Sequence, residues 1–197
     1  MRAQHLLPWL LALATACPQG QTQKDDTGFD TAESDVDTDT DTDTDTDTDS
    51  WPSGEPDFSW PDDLSSGATV DLNWADLSTV ACWPGTENSN FNGHHVFFEL
   101  TQAADQDLHV RVTPDNGVDV SLYAMEFNGS VQTPPDVTTC TSCEASADWT
   151  NDANPGRTEE VFLSGFNPYE VLIGVAGANY ADTGGFTLEV WAVESAW

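Results

Sequence analysis

Apolar side chains recur at every second position through most of the C-terminal two-thirds of the chain. Val96, Phe98 and Leu100 form one such set in HHVFFEL, and Leu108, Val110 and Val112 form another in DLHVRV. The pattern continues with Val118, Val120 and Leu122, then Val161 and Leu163, then Tyr169, Val171, Ile173 and Val175, and finally Phe186, Leu188 and Val190. A period of two places each set on one face of an extended strand, and no stretch carries the 3.6-residue period of an amphipathic helix. Ala68, Val70, Leu72 and Trp74 read as the first strand of the series. Clusters of Gly, Asn, Asp and Pro separate the runs, so residues 62–197 are expected to fold as an all-β, antiparallel β-sandwich.

One hairpin follows from the pattern. A turn at Ala104 would set Val96 opposite Val112, Phe98 opposite Val110 and Leu100 opposite Leu108, with Phe97 beside Arg111 and Glu99 beside His109 on the outer face. In that register His95 lies opposite Thr113, roughly 13 Å from His109, too far for the two imidazoles to share a metal ion.

Residues 17–61 have a different composition. Val36 is almost their only aliphatic residue, and they contain the run VDTDTDTDTDTDTDS. Such a segment cannot bury enough apolar surface to offset its ordering entropy and is expected to be a disordered acidic linker. A strand is disfavoured because a strict period of two would line every aspartate along one face. An EF-hand loop is disfavoured because the run lacks the Gly at position six and the Glu at position twelve that such a loop requires. As a spacer it would reach roughly 35 Å, more with self-repelling charges, and its threonines are open to O-linked sugars.

The chain opens MRAQHLLPWLLALATAC, with Arg2, an apolar run from Leu6 to Leu13 and small residues before Cys17. That is the anatomy of an export signal, residues 1–16, and the apolar run is far shorter than the ~20 residues of a membrane span. Ala14-Thr15-Ala16-Cys17 resembles the lipobox of bacterial lipoproteins, with Ala14 where Leu is usual, which implies lipidation of Cys17; an ordinary cut after Ala16 would release a soluble protein. The cysteines are Cys17, Cys82, Cys140 and Cys143, so lipidation leaves an odd number in an oxidising compartment. The CTSC spacing suggests a small disulfide loop between Cys140 and Cys143 with Cys82 reduced and buried; alternatively Cys82 cross-links to one of them. A zinc site needs a second ligand pair, and none lies nearby.

Four Lys and Arg against 35 Asp and Glu give a formal charge of -31, which disfavours nucleic acid and anionic lipid surfaces as partners. Catalytic patterns are missing: Ser65, Ser66 and Ser164 lack a G-x-S-x-G elbow, and His94, His95 and His109 are the only plausible bases in the foldable region. A cleft joining His109, Glu99 and a serine would signal a hydrolase. The one cofactor the residues suggest is calcium, through Asp105, Asp107, Asp115, Asn116 and Asp119 at strand ends; the same residues serve equally as turn formers. Trp83, Trp149 and Trp191 suggest polysaccharide stacking on coplanar exposed rings, with Trp191 exposed because it points away from Val190.

The closing run YEVLIGVAGANYADTGGFTLEV resembles the end of the bacterial pre-peptidase C-terminal domains, where a Y-x-V-x-V strand and a Gly-rich turn precede G-x-Y-x-L-x-V. Gly185, Phe186, Leu188 and Val190 occupy the last motif, with Phe for Tyr, and Asp119, Leu122 and Tyr123 match the family's acidic D-x-x-L-Y. The resemblance spans about residues 90–193. It implies a small jelly-roll-like sandwich that is non-catalytic and binds protein, polysaccharide or calcium. No catalytic domain precedes it here, and the insertion between Val131 and Arg157 is an addition to the family pattern. The sequence thus reads as an exported surface protein, lipid-anchored or secreted, with a non-enzymatic module on an acidic stalk, touching the membrane only through its anchor.

Overall fold

The computed structural model describes residues 51–77, 80–147 and 156–195, and the export signal, Cys17 and the Asp-Thr run lie outside these residues. Nine strands among them form two antiparallel sheets. One sheet has the order β1 (Phe58–Asp63), β9 (Gly185–Glu194), β4 (Gln106–Pro114), β7 (Glu159–Gly165). The other has the order β2 (Ala68–Thr69), β3 (His94–Gln102), β8 (Tyr169–Gly177), β5 (Val120–Phe127), β6 (Ser142–Ser146). Among the described residues no helix is long and apolar enough to cross a membrane.

The alternating residues meet between the sheets. Val96, Leu108, Val110, Val112, Leu122, Val161, Leu163, Val171, Ile173, Val175, Phe186, Leu188 and Val190 form one buried cluster. Each such side chain contributes about 1.5–3 kcal/mol relative to exposure.

The expected β3–β4 hairpin does not form. β3 pairs with β8, setting Val96 against Val175, Phe98 against Ile173 and Leu100 against Val171. β4 pairs with β9 and β7, setting Val110 against Val190 on one side and Val161 on the other. The inward faces are as the period predicts, but they oppose each other across the sandwich instead of lying side by side. Alternation assigns a strand's faces and is silent about its neighbour. The turn carries the chain from one sheet to the other with Asp105 at φ 58, and Gln102 Nε2 donates to the Gln106 carbonyl across it.

The five-stranded sheet is covered on its other face as well. Residues 70–77 and 80–93 run over it, with Trp74, Trp83 and Phe91 packed on Tyr123, Met125, Phe127 and Leu172. Trp83 and Phe91 stack with centroids 3.8 Å apart. The Tyr123 ring lies over Gly174, where any Cβ would collide with it. β5 is therefore buried at every position. The first strand expected over Ala68, Val70, Leu72 and Trp74 shrinks to Ala68–Thr69. The Asp71 carboxylate accepts from Asn73 N–H at 3.0 Å and starts a short helix, α1 (Asn73–Leu77), which carries Trp74 and Ala75 inward.

Two strands fall where none was expected. β1 starts in residues assigned to the linker and crosses the expected boundary after Pro61, and the fold reaches back to Trp51. Pro61 is tolerated because β1 is an edge strand. β6 lies inside the insertion, at the opposite edge of the other sheet. The disulfide also differs from the small loop expected: Cys143 joins Cys82, with Cα atoms 4.9 Å apart, while Cys140 remains a thiol that donates to the Val80 carbonyl. Cys143, opposite Met125 in β6, instead meets the covering segment at Cys82.

Candidate binding cleft

The five proposed calcium ligands are not brought together. Asp105 and Asp107 sit at the start of β4, whereas Asp115, Asn116 and Asp119 follow its other end, about 26 Å away. Asp107 accepts from Ser195 Oγ at 2.7 Å. The Asp119 carbonyl accepts from Ala178 N–H, and Asp115 N–H donates to the Gly185 carbonyl. Among the described residues no group of three or more His, Cys, Asp or Glu is disposed to hold a metal ion.

The hydrolase cluster is not assembled either. Glu99 lies on the outer face of the five-stranded sheet, and His109 on the outer face of the four-stranded one. His109 packs edge-on against Trp51 and Phe162, at 5.2 and 4.7 Å. Arg111 does not meet Phe97. Its guanidinium lies 4.5 Å from the Trp51 ring and 5.2 Å from the Trp191 ring, with Nε 2.7 Å from Glu160 Oε1. Trp51 covers Trp191, whose indole N–H donates to the Gly54 carbonyl, so Trp191 is buried rather than exposed. Trp83 is buried under the covering segment, and Trp149 lies outside the described residues. The coplanar platform expected for polysaccharide is therefore not formed by Trp83 and Trp191.

His95, expected on an outward strand face, is enclosed. Its Nε2 is 2.7 Å from the Phe91 carbonyl, which can only accept, so Nε2 carries the proton and Nδ1 accepts from Tyr123 Oη at 2.9 Å. Burial pushes the imidazole down to about 4 and the Tyr123 phenol upward, so both stay neutral. The pair braces the covering segment on the sheet and has no access to a substrate.

The open site lies farther along that same outer face, beyond the covering segment. Glu99 and Thr101 from β3, Tyr169 and Glu170 from the start of β8, Phe127 at the end of β5 and Ser130 after it line a cleft of about 620 Å³. Thr101 is opposite Glu170, and its hydroxyl donates to Glu170 Oε2 at 3.1 Å, which fixes that carboxylate. Glu99 is diagonal to Glu170 across the β3–β8 pair, so their backbones are about 7–8 Å apart. The arginines among the described residues, Arg111 and Arg157, are on other elements: Arg111 in the four-stranded sheet, Arg157 ahead of β7. The cleft thus presents two carboxylates on an open stretch of the sheet, a combination suited to a basic group, while the Tyr169 ring turns inward toward Gly165 and Phe127 is buried. Sequence reasoning placed Glu99 beside His109 and passed over Glu170, because only the β3–β8 pairing joins these residues.

Comparison of the chain with protein-family models and with curated proteins finds no match.

Proposed function

We propose that this chain is an exported β-sandwich module that binds, without catalysing a reaction, a ligand presenting a basic group to the Glu99–Glu170 cleft. The observation that carries the reading is the cleft itself, where a hydroxyl-braced carboxylate and a second carboxylate share one face of the sheet and the building strands carry no arginine. In this reading residues 17–50 are the acidic stalk and a lipid on Cys17 is the anchor. The Cys82–Cys143 bridge supports an oxidising setting. The likeness of residues 90–193 to pre-peptidase C-terminal domains belongs to the same proposal, as does an extracellular protein or polysaccharide as the source of the basic group.

Two measurements test it. Titration of the full chain with a Gly-Lys-Gly tripeptide, followed by NMR, is expected to shift Tyr169, Phe127 and Ser130, with the shifts lost in Glu99→Gln and Glu170→Gln. Shifts confined to the Asp-Thr run would refute the cleft. Mass spectrometry of the mature N-terminus is expected to show a diacylglyceryl adduct on Cys17, and an unmodified terminus there would refute the anchor.

A further inference from the structure

The least expected group in the fold is Glu126. It is 2% exposed, and its Oε1 has no hydrogen-bond partner. It lies in β5 opposite Val171 of β8 and Ser142 of β6, and alternation with Leu122 and Ala124 turns it toward the space between the sheets. Gln102, fully buried on the inward face of β3 at the same end of the sandwich, has a second unpartnered oxygen. Two buried oxygens without a hydrogen-bond partner make a setting that disfavours an ionised carboxylate.

The charges around it make matters worse. β6 carries Glu144, one row from Glu126 on the same face. β7 carries Glu159, buried and accepting from Ser146 of β6, and Glu160, which faces outward to Arg111. β8 contributes Glu170, held by Thr101 on the opposite face, and β3 contributes Glu99 and the neutral His95 on that same opposite face, while His94 faces inward at the far end of β3, its Nδ1 against the Leu64 carbonyl. β4, across the sandwich, directs Asp107, His109 and Arg111 to the far side of its own sheet. No cation from any of these elements faces Glu126.

We infer that β6 is a pH-sensitive latch, closed while Glu126 carries a proton and loosened when Glu126 ionises. β6 is a five-residue edge strand, and it is the strand to which the covering segment is bolted through Cys143 and Cys82. Separation of β6 from β5 gives the Glu126 carboxylate access to water, and at the same time frees the bolt from the sheet. The exposed aromatic face would then be that of Trp83, Phe91 and Tyr123. Burial, aided by the Glu144 charge, raises the Glu126 carboxyl from 4.5 to about 7. The sign follows: the closed strand binds the proton more tightly, so closure is favoured below the ordinary carboxyl range and is lost as pH rises through about 7. A shift of that size changes the opening equilibrium on the order of 50- to 100-fold between pH 5 and 8.5.

Hydrogen exchange of the full chain at pH 5 and 8.5, corrected for intrinsic rates, reads the latch directly. Protection of Ser142–Ser146 is expected to fall on the order of 50- to 100-fold at the higher pH, while β4 and β9 hold theirs. In Glu126→Gln that fall is expected to vanish. Equal corrected protection at both pH values, or an unchanged fall in Glu126→Gln, overturns the inference. Should that variant not fold, the wild-type carboxyl carbon of Glu126 decides by NMR: titration near pH 7 supports the latch, and titration near 4.5 overturns it.

Discussion

Replacing Cys82 and Cys143 together by alanine opens a covalent loop whose ends lie 61 residues apart. In the chain-entropy treatment, closing a loop of that length removes about 14 cal/mol/K from the unfolded ensemble, or about 4 kcal/mol at 25 °C. That is a large fraction of the ~5–15 kcal/mol typical of a folded domain and corresponds to a drop in Tm of roughly 10–20 °C. The native contacts of the covering segment do not need the bond to form, since Trp83, Phe91 and Tyr123 pack by shape. The loss is therefore expected in the midpoint of urea unfolding with a nearly unchanged spectrum of the folded state. Cys140→Ser serves as the background, so that exchange with the neighbouring thiol is excluded. Wild-type protein under reductant is expected to match the double variant. A loss below ~1 kcal/mol would refute the reasoning, because it would mean that the segment is already held near β6 in the unfolded chain. Cys82→Ser alone gives a separate outcome: Cys140, held at the Val80 carbonyl, and Cys143, in β6, are expected to stay reduced while folded and to close the CTSC loop on unfolding.

Three further substitutions probe single contacts. Gly174→Ala forces a Cβ into the Tyr123 ring and is expected to cost about 1–3 kcal/mol in urea unfolding. Tyr123→Phe keeps the ring but leaves His95 Nδ1 without its donor, which is expected to cost about 1–3 kcal/mol in the same assay. Trp51→Ala uncovers Arg111 and Trp191 and is expected to lower stability by about 0.5–2 kcal/mol, with less effect when Arg111 is already replaced by Met.

The inward residues of β3, β4, β5, β7, β8 and β9 could be read directly, because a period of two is the physical requirement for covering one face of a sheet. The neighbour of β3 could not. Val96, Phe98 and Leu100 fit Val112, Val110 and Leu108 as well as they fit Val175, Ile173 and Val171, and only the global packing chooses between them. Trp74 continued an alternating run, yet the Asp71 cap and the pocket beside Trp83 drew it into a helix. β1 was hidden by its acids and Pro61, which an edge strand accepts and an interior one does not. The cleft was the least legible feature. Glu99 and Glu170 are distant in sequence, and their proximity exists only once β3 and β8 are neighbours.

Two buried groups make the pH dependence of stability a sharper test than either alone. His95 is held neutral, its imidazole pushed down from 6.5 to about 4, so the unfolded chain binds the extra proton and folding loses stability as pH falls through that window. Glu126 acts in the opposite sense: its carboxyl is raised from 4.5 to about 7, the folded chain binds the extra proton, and stability is lost as pH rises. Each shift is worth up to about 3 kcal/mol. Because the windows overlap and the signs oppose, the contributions of the two groups to wild-type stability are expected to offset each other from pH 4 to 7. Removing one group should expose the other. Glu126→Gln keeps the shape of the side chain and loses its titration, so its urea stability is expected to climb by up to about 3 kcal/mol between pH 4 and 7, reaching its plateau where His95 is neutral in both states. Stability curves for wild type and Glu126→Gln that run parallel would show that Glu126 does not hold its proton in the fold, and the account of the space beside β6 would fail with it.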